Sequence, residues 1–106
     1  MVTTSRTLEL LHLDLFGPTR SSSLGRKRYG FVIVDDYSRF TWVLFLSNKN
    51  KVLSQFKHLC NRIQTEKWYV LKSIRSDHGR EFENLEFENY YDENEITHNF
   101  SSPKTP

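Results

Sequence analysis

Two aspartates, each placed where an apolar run ends, are the residues best suited to chemistry in this chain. Asp14 closes the run Leu8-Glu9-Leu10-Leu11-His12-Leu13, and Asp77 follows Val70-Leu71-Lys72-Ser73-Ile74-Arg75-Ser76. Each stands where a buried strand would emerge at solvent. Carboxylates delivered by the ends of neighbouring strands let a rigid sheet hold divalent cations against a phosphodiester, because such cations are hard and take oxygen ligands. A competent site of that kind needs a further carboxylate, and none is obvious in the expected place before Pro106. Taken singly, Asp14 also reads as a turn-forming strand terminus, and Asp77 as an Asx-type turn ahead of Gly79.

The elements that must position these residues can be read from periodicity. Residues 1–6 are polar and patternless and read as a disordered tail. Leu8 to Phe16 reads as a strand ended by Gly17-Pro18, since proline cannot donate to a ladder. Alternation puts Leu8, Leu10, His12 and Asp14 on one face and Leu11, Leu13 and Leu15 on the other, so both faces look buried. Thr19 to Gly25 reads as a loop. Tyr29–Val34 and Phe40–Leu46 are β-branched and aromatic runs joined by Asp35-Asp36-Tyr37-Ser38-Arg39, which makes a hairpin.

Across residues 48–66 the period changes. Val52, Leu53, Phe56, Leu59, Cys60 and Ile63 recur at three and four residues, with Asn48 or Asn50 as cap and His58 outward, predicting an amphipathic helix. Trp68 to Arg75 reads as a further strand broken by Ser76-Asp77-His78-Gly79. Glu81 to Glu95, with seven acids and no base, reads as a second, imperfect helix with an acidic outer face, and Ile96 to Phe100 as a last short strand. The order β, β-hairpin, α, β, α, β predicts an α/β fold with a mixed five-stranded sheet, antiparallel first and parallel later. Asp14 and Asp77 become neighbours only if the first and fourth strands lie side by side and run parallel, which a right-handed crossover through the 48–66 helix permits.

Composition narrows the class. A chain of 106 residues is one domain at most, and 37% hydrophobic with 14% aromatic is more than a disordered chain carries. Its apolar runs are too short to span a membrane, and no secretory leader pattern opens it, so a soluble intracellular protein is expected. The single cysteine, Cys60, excludes disulfide and cysteine-rich zinc frameworks and reads as core. A net charge of +2 is a weak sign of nucleic-acid binding, but the first 53 residues hold eight Lys/Arg against four Asp/Glu. Arg26, Lys27 and Arg28, with Lys49 and Lys51, could neutralise phosphates, or could simply be solubilising turn and helix-start charges.

Four blocks in order resemble a known family, the integrase catalytic core of retroviral type, and more closely that of Ty1/copia LTR retrotransposons. They are Leu8 to Pro18; Lys27-Arg28-Tyr29 with Val32 to Val43; Ile74-Arg75-Ser76-Asp77-His78-Gly79 with Glu81-Phe82; and His98-Asn99-Phe100-Ser101-Ser102-Pro103. The resemblance runs from about residue 7 to the end and implies a ribonuclease H-like fold. By motif it assigns Asp14 and Asp77 as the first two aspartates of a D-D-E triad that binds Mg²⁺ or Mn²⁺, with DNA, as element ends and target, for substrate. Two such metals would bridge the scissile phosphate.

The family's third acid lies roughly thirty-five residues beyond the second aspartate, past Pro106, and Glu81 and Glu83 follow Asp77 too closely to replace it. The resemblance therefore implies residues 7–106 as a partial, C-terminally truncated core, incapable of strand transfer alone, with weak or absent metal binding, a possible homo-oligomer, and a nuclear site of action. An uncovered sheet face that drives association is expected. The resemblance places Asp35 and Asp36 in the hairpin turn, one capping backbone amides and pairing with Arg39, with Gly79 likewise a turn residue. His12 could bond an active-site carboxylate or simply pack in its strand, and His78 could touch DNA or serve the turn. A ribonuclease H wants a glutamate on the first long helix, and residues 47–65 hold no acid. A non-catalytic nucleic-acid-binding or assembly remnant is the alternative from another class.

Overall fold

The computed structural model describes residues 4–20 and 27–100. Strands β1 (Leu10–Arg20), β2 (Lys27–Asp35) and β3 (Thr41–Leu46) lead into a short 3₁₀ turn (Lys49–Lys51) and helix α1 (Val52–Lys67). Strand β4 (Ser73–Ser76), helix α2 (Leu85–Glu93) and strand β5 (Thr97–Phe100) complete the order. One five-stranded sheet results, in the order β3-β2-β1-β4-β5. β1 pairs antiparallel with β2, and β2 with β3, while β1–β4 and β4–β5 are parallel. The expected mixed sheet is the observed one.

Pairing register sorts the side chains into two faces. Leu11, Leu13, Ile33, Phe31 and Ile74 share one face and are buried. Against them α1 lays Val52, Phe56, Leu59, Cys60 and Ile63, and α2 adds Phe87 and Tyr91. Phe56 packs between Phe31 and Phe87, with ring centroids 6.1 and 6.0 Å away. Burying side chains of this size contributes about 2 kcal/mol each. Burial pushes the Cys60 thiol up to about 12, as befits an inert core cysteine. Asn48 caps the 3₁₀ turn and Asn84 caps α2 through the Phe87 N–H.

The opposite face differs from the expectation that β1 is buried on both sides. Leu10 is buried there, but His12 is half-buried, Asp14 is exposed, and Phe16, Val43 and Phe45 stand out to solvent, Phe45 at 70%. Neither helix reaches that side, so the alternation that looked buried on paper lacks a covering layer. Gly30 is needed on this face, because the Phe16 ring of the paired strand lies where a Cβ would go.

Three boundaries moved. β1 does not stop at Gly17-Pro18: the ladder skips these residues with a register shift and resumes at Thr19 opposite Arg28, with Gly17 at φ 121°. The predicted strand from Trp68 begins only at Ser73. Trp68 instead closes α1 in the left-handed region and is 91% exposed, with Tyr69 and Val70 also exposed. The second helix starts at Leu85 because Asn84 caps it, not at Glu81. At the N-terminus, Thr4 donates to Asp36 and Ser5 to Glu9, and Arg6 donates to the Thr7 and Val70 carbonyls, so residues 4–6 are tied to the domain. Residues 1–3 and most of the predicted 19–25 loop lie outside the described residues.

Candidate active site

Asp14 and Asp77 both belong to the central parallel pair's neighbourhood, Asp14 within β1 and Asp77 directly after β4. β1 and β4 are registered as Leu10 with Ser73, Leu11 with Ile74, and His12 with Arg75. Continued two residues past the last paired positions, the same register would set Asp14 opposite Asp77, the residue that follows β4. By alternation both fall on the open face, Asp14 in the first half of β1 and Asp77 just past the carboxyl end of β4. Asp14 is exposed and makes no hydrogen bond or ion pair with any described residue. Asp77 accepts one bond at Oδ1 from the Gly79 N–H, 2.8 Å, which is the expected Asx turn and leaves Oδ2 unspent among the described residues.

The donor set is thus two carboxylates with oxygens to spare, which suits Mg²⁺ or Mn²⁺ better than a softer ion. Among the described residues no group of three His, Cys, Asp or Glu is arranged to hold a metal. Glu81 also comes close to Asp77: a Cβ built on Gly79 would lie 2.6 Å from Glu81 Oε1 and 2.9 Å from Asp77 Oδ1.

The two hairpin aspartates are spent on the fold. Asp35 is 0% exposed; its Oδ1 accepts from the Leu8 N–H at 2.8 Å, and its Oδ2 from the Ser38 N–H and hydroxyl at 2.8 and 2.7 Å. This is the amide-capping turn role expected for one of the pair. Asp36, however, pairs with His12 Nε2 at 2.7 Å and with Thr4, not with Arg39. His12 beside it holds the Asp36 carboxyl below its usual range. His12 therefore bonds a turn carboxylate and not an active-site one. Arg39 takes φ 66° and gives its N–H to the Asp35 carbonyl.

His78 is half-buried, its ring stacked on Phe100 at 3.8 Å and 8°, with Nδ1 3.3 Å from Glu83 Oε1. One face of it is occupied by protein. Arg28 is exposed at the start of β2, Arg26 lies outside the described residues, and Lys27 is the first residue of β2. Sequence reasoning gave no role to Ser76, His98 or Phe100, which pack directly behind Asp77. The His98 Nε2–Ser76 Oγ distance is 2.7 Å, and the Ser76 hydroxyl donates to the Asp77 carbonyl at 2.9 Å. Burial lowers the His98 pKa.

Residues 4–106 match the integrase core domain. The chain belongs to that family. It is 35% identical over 99 residues to a retrovirus-related Pol polyprotein from transposon TNT 1-94 of Nicotiana tabacum, covering 93% of this chain and 8% of the relative. It is 33% identical over 109 residues to that of transposon RE2 of Arabidopsis thaliana, covering 99% and 7%. The chain thus spans less than a tenth of the length of either polyprotein. Among solved structures, the HTLV-2 integrase catalytic core domain in complex with magnesium, in dimeric form, aligns with TM-score 0.71 at 19% identity over 89% of this chain and 61% of that one. A simian T-cell lymphotropic virus intasome in complex with a PP2A regulatory subunit aligns at 0.72 and 17%, over 93% and 34%. At these identities the structures establish the ribonuclease H-like fold of this integrase core.

Proposed function

We propose that these 106 residues supply the two-aspartate half of a retrotransposon integrase site, a metal-dependent polynucleotidyl transferase for 3′-end processing and strand transfer of DNA in the nucleus. The observation that supports this is the β1–β4 register, which, continued two residues past His12 and Arg75, would set Asp14 opposite Asp77 on the open face. Asp14, with both oxygens unspent among the described residues, and Asp77, likewise with Oδ2 unspent, would hold Mg²⁺ or Mn²⁺; such an ion, when bound, activates the attacking oxygen and neutralises charge on the phosphate. The Gly79 N–H fixes the rotamer of Asp77 by holding Oδ1. The sheet fixes the Asp14 backbone within β1, and Asp77 follows the last residue of β4, so little reorganisation is left for the step itself.

Two carboxylates bind such ions weakly, and these residues by themselves do not complete strand transfer. α1 argues against a ribonuclease H, since its one acid is Glu66, exposed in the last turn. Arg26, Lys27 and Arg28 contact phosphate in this reading, and the exposed Val43 and Phe45 of the open face favour self-association.

The test is Mn²⁺ binding by water-proton relaxation, together with nicking of a donor-end duplex. Binding lost in Asp14→Asn and Asp77→Asn, without nicking by the wild type, is the expected result. Nicking abolished by both substitutions would uphold the site and overturn the inactivity. DNA binding with a steep salt slope and no Mn²⁺ dependence would favour a non-catalytic nucleic-acid-binding role.

A further inference from the structure

Asp77 has no rigid element of its own beyond Ser76. β4 is four residues long and ends immediately before the aspartate, and α2 does not begin until Leu85. Something else must hold the backbone on which the carboxylate sits. The register of β4 with β5 pairs Ile74 with His98 and Ser76 with Phe100, so His98 and Phe100 stand on the same face as Ser76, the face opposite Asp77.

Both β5 side chains reach residues flanking the aspartate. Ser76 is 0% exposed, and its single hydroxyl proton goes to the Asp77 carbonyl at 2.9 Å. Its Oγ can then only accept, so His98 presents Nε2–H to it across 2.7 Å, which fixes the His98 tautomer. On the other flank, the Phe100 ring stacks on His78 at 3.8 Å, and His98 packs on Phe100 at 4.4 Å. The His98 ring is itself seated edge-on against Tyr91 of α2 at 5.0 Å. The residues before and after Asp77 are thus both gripped by one short strand, and that strand is braced by α2.

We infer that His98 and Phe100 of β5, acting through Ser76 and His78, are positioning residues that hold the Asp77 backbone and so aim its carboxylate at the open face. This rests on the proposed role of Asp77, but the clamp can be tested without metal. Hydrogen exchange by NMR at the amides of Asp77, His78 and Gly79 reads the grip directly. His98→Leu keeps the packing volume without the N–H, and Ser76→Ala removes the hydroxyl link. Each is expected to speed exchange at these three amides about tenfold while leaving those of Leu11 and Ile33 in the central strands unchanged. His98→Gln, whose amide can donate in place of Nε2–H, is expected to restore the wild-type rates.

The same variants should weaken Mn²⁺ binding by about tenfold, the scale on which partners of metal ligands act, with rescue again in His98→Gln. Exchange at residues 77–79 that is unchanged in His98→Leu and Ser76→Ala overturns the clamp whatever the metal does. Failure of the glutamine to rescue overturns the hydrogen-bond route. Faster exchange in a chain whose Mn²⁺ binding is indifferent to Asp14→Asn and Asp77→Asn would leave the clamp standing and remove the metal site.

Discussion

Two pairs of aspartates, one beside the first residues of β1 and one a few residues further along it, have opposite fates. Asp35 and Asp36 close the β2–β3 hairpin, and their oxygens are consumed: Asp35 by Leu8 and Ser38, Asp36 by His12 and Thr4. Among the described residues, Asp14 and Asp77 take a single hydrogen bond between them. A carboxylate saturated by amides and hydroxyls in the interior serves the fold, whereas one fixed in place and left with open lone pairs is equipped to bind something from outside. The contrast lies in satisfaction, not in charge or in position along the chain.

The sharpest way to break this comparison is to delete one carboxylate of each kind. Asp35→Ala leaves the buried Leu8 N–H and the two Ser38 donors of the turn without their acceptor, with an expected loss of about 3 kcal/mol in urea unfolding. Asp14→Asn is expected to stay within about 0.5 kcal/mol of the wild type. Equal losses would show that Asp14 is structural after all. Mn²⁺ should give the converse ranking, with affinity falling tenfold or more in Asp14→Asn and in Asp77→Asn and about unchanged in Asp36→Asn, read by relaxation titration.

Acid should also separate the two regions. The His98 pKa is lowered by burial, so the unfolded chain binds the proton first. The stability contributed by neutral His98 is full above about pH 6.5 and is lost as pH falls through the lower folded value. Asp36 has its pKa lowered chiefly by the hydrogen bond to His12, so its contribution is full above about pH 3.9 and is lost only below that. Melting curves from pH 7.5 to 3 should therefore weaken first on the Asp77 side. In His98→Gln the drop between pH 6.5 and 5 should shrink, and an unaltered drop would assign it elsewhere.

The smallest expected effect is that of Gly79→Ala. Its Cβ would press on Asp77 Oδ1 and Glu81 Oε1, both ends of movable side chains. Stability should change by less than about 1 kcal/mol, with Mn²⁺ affinity down a few-fold. An affinity indistinguishable from the wild type would show that the Gly79 turn does not set the carboxylate's direction.

Much of this was legible from the sequence because it rests on local pattern. The 3.6 period named the inward residues of α1, alternation named the strands, and matching motifs named Asp14 and Asp77. The order of elements forced β1 and β4 to be parallel neighbours if the aspartates were to meet. What escaped notice depends on contacts distant in sequence. Nothing in Trp68-Tyr69-Val70 distinguishes a strand from an exposed helix exit, since its composition favours β and only the left-handed turn at Trp68 contradicts it. The alternation of β1 could not show that only one of its faces is covered. His12 read as a packed strand histidine or a partner for an active-site carboxylate, yet its bond is to Asp36 across the sheet, 24 residues away. Ser76 and His98 meet only through parallel pairing of two four-residue strands, too short to carry a period of their own.

The parallel β1–β4 alignment also restricts how relatives of this chain can vary in length. Adding or removing one residue between Leu10 and Asp14, or between Ser73 and Asp77, would turn the downstream carboxylate toward Phe31 and Phe56 and away from water, because side chains reverse sides at every step. The segment 68–72, which lies in neither strand nor helix, carries no such parity rule. Indels among homologues should gather there and be excluded from the two strand intervals.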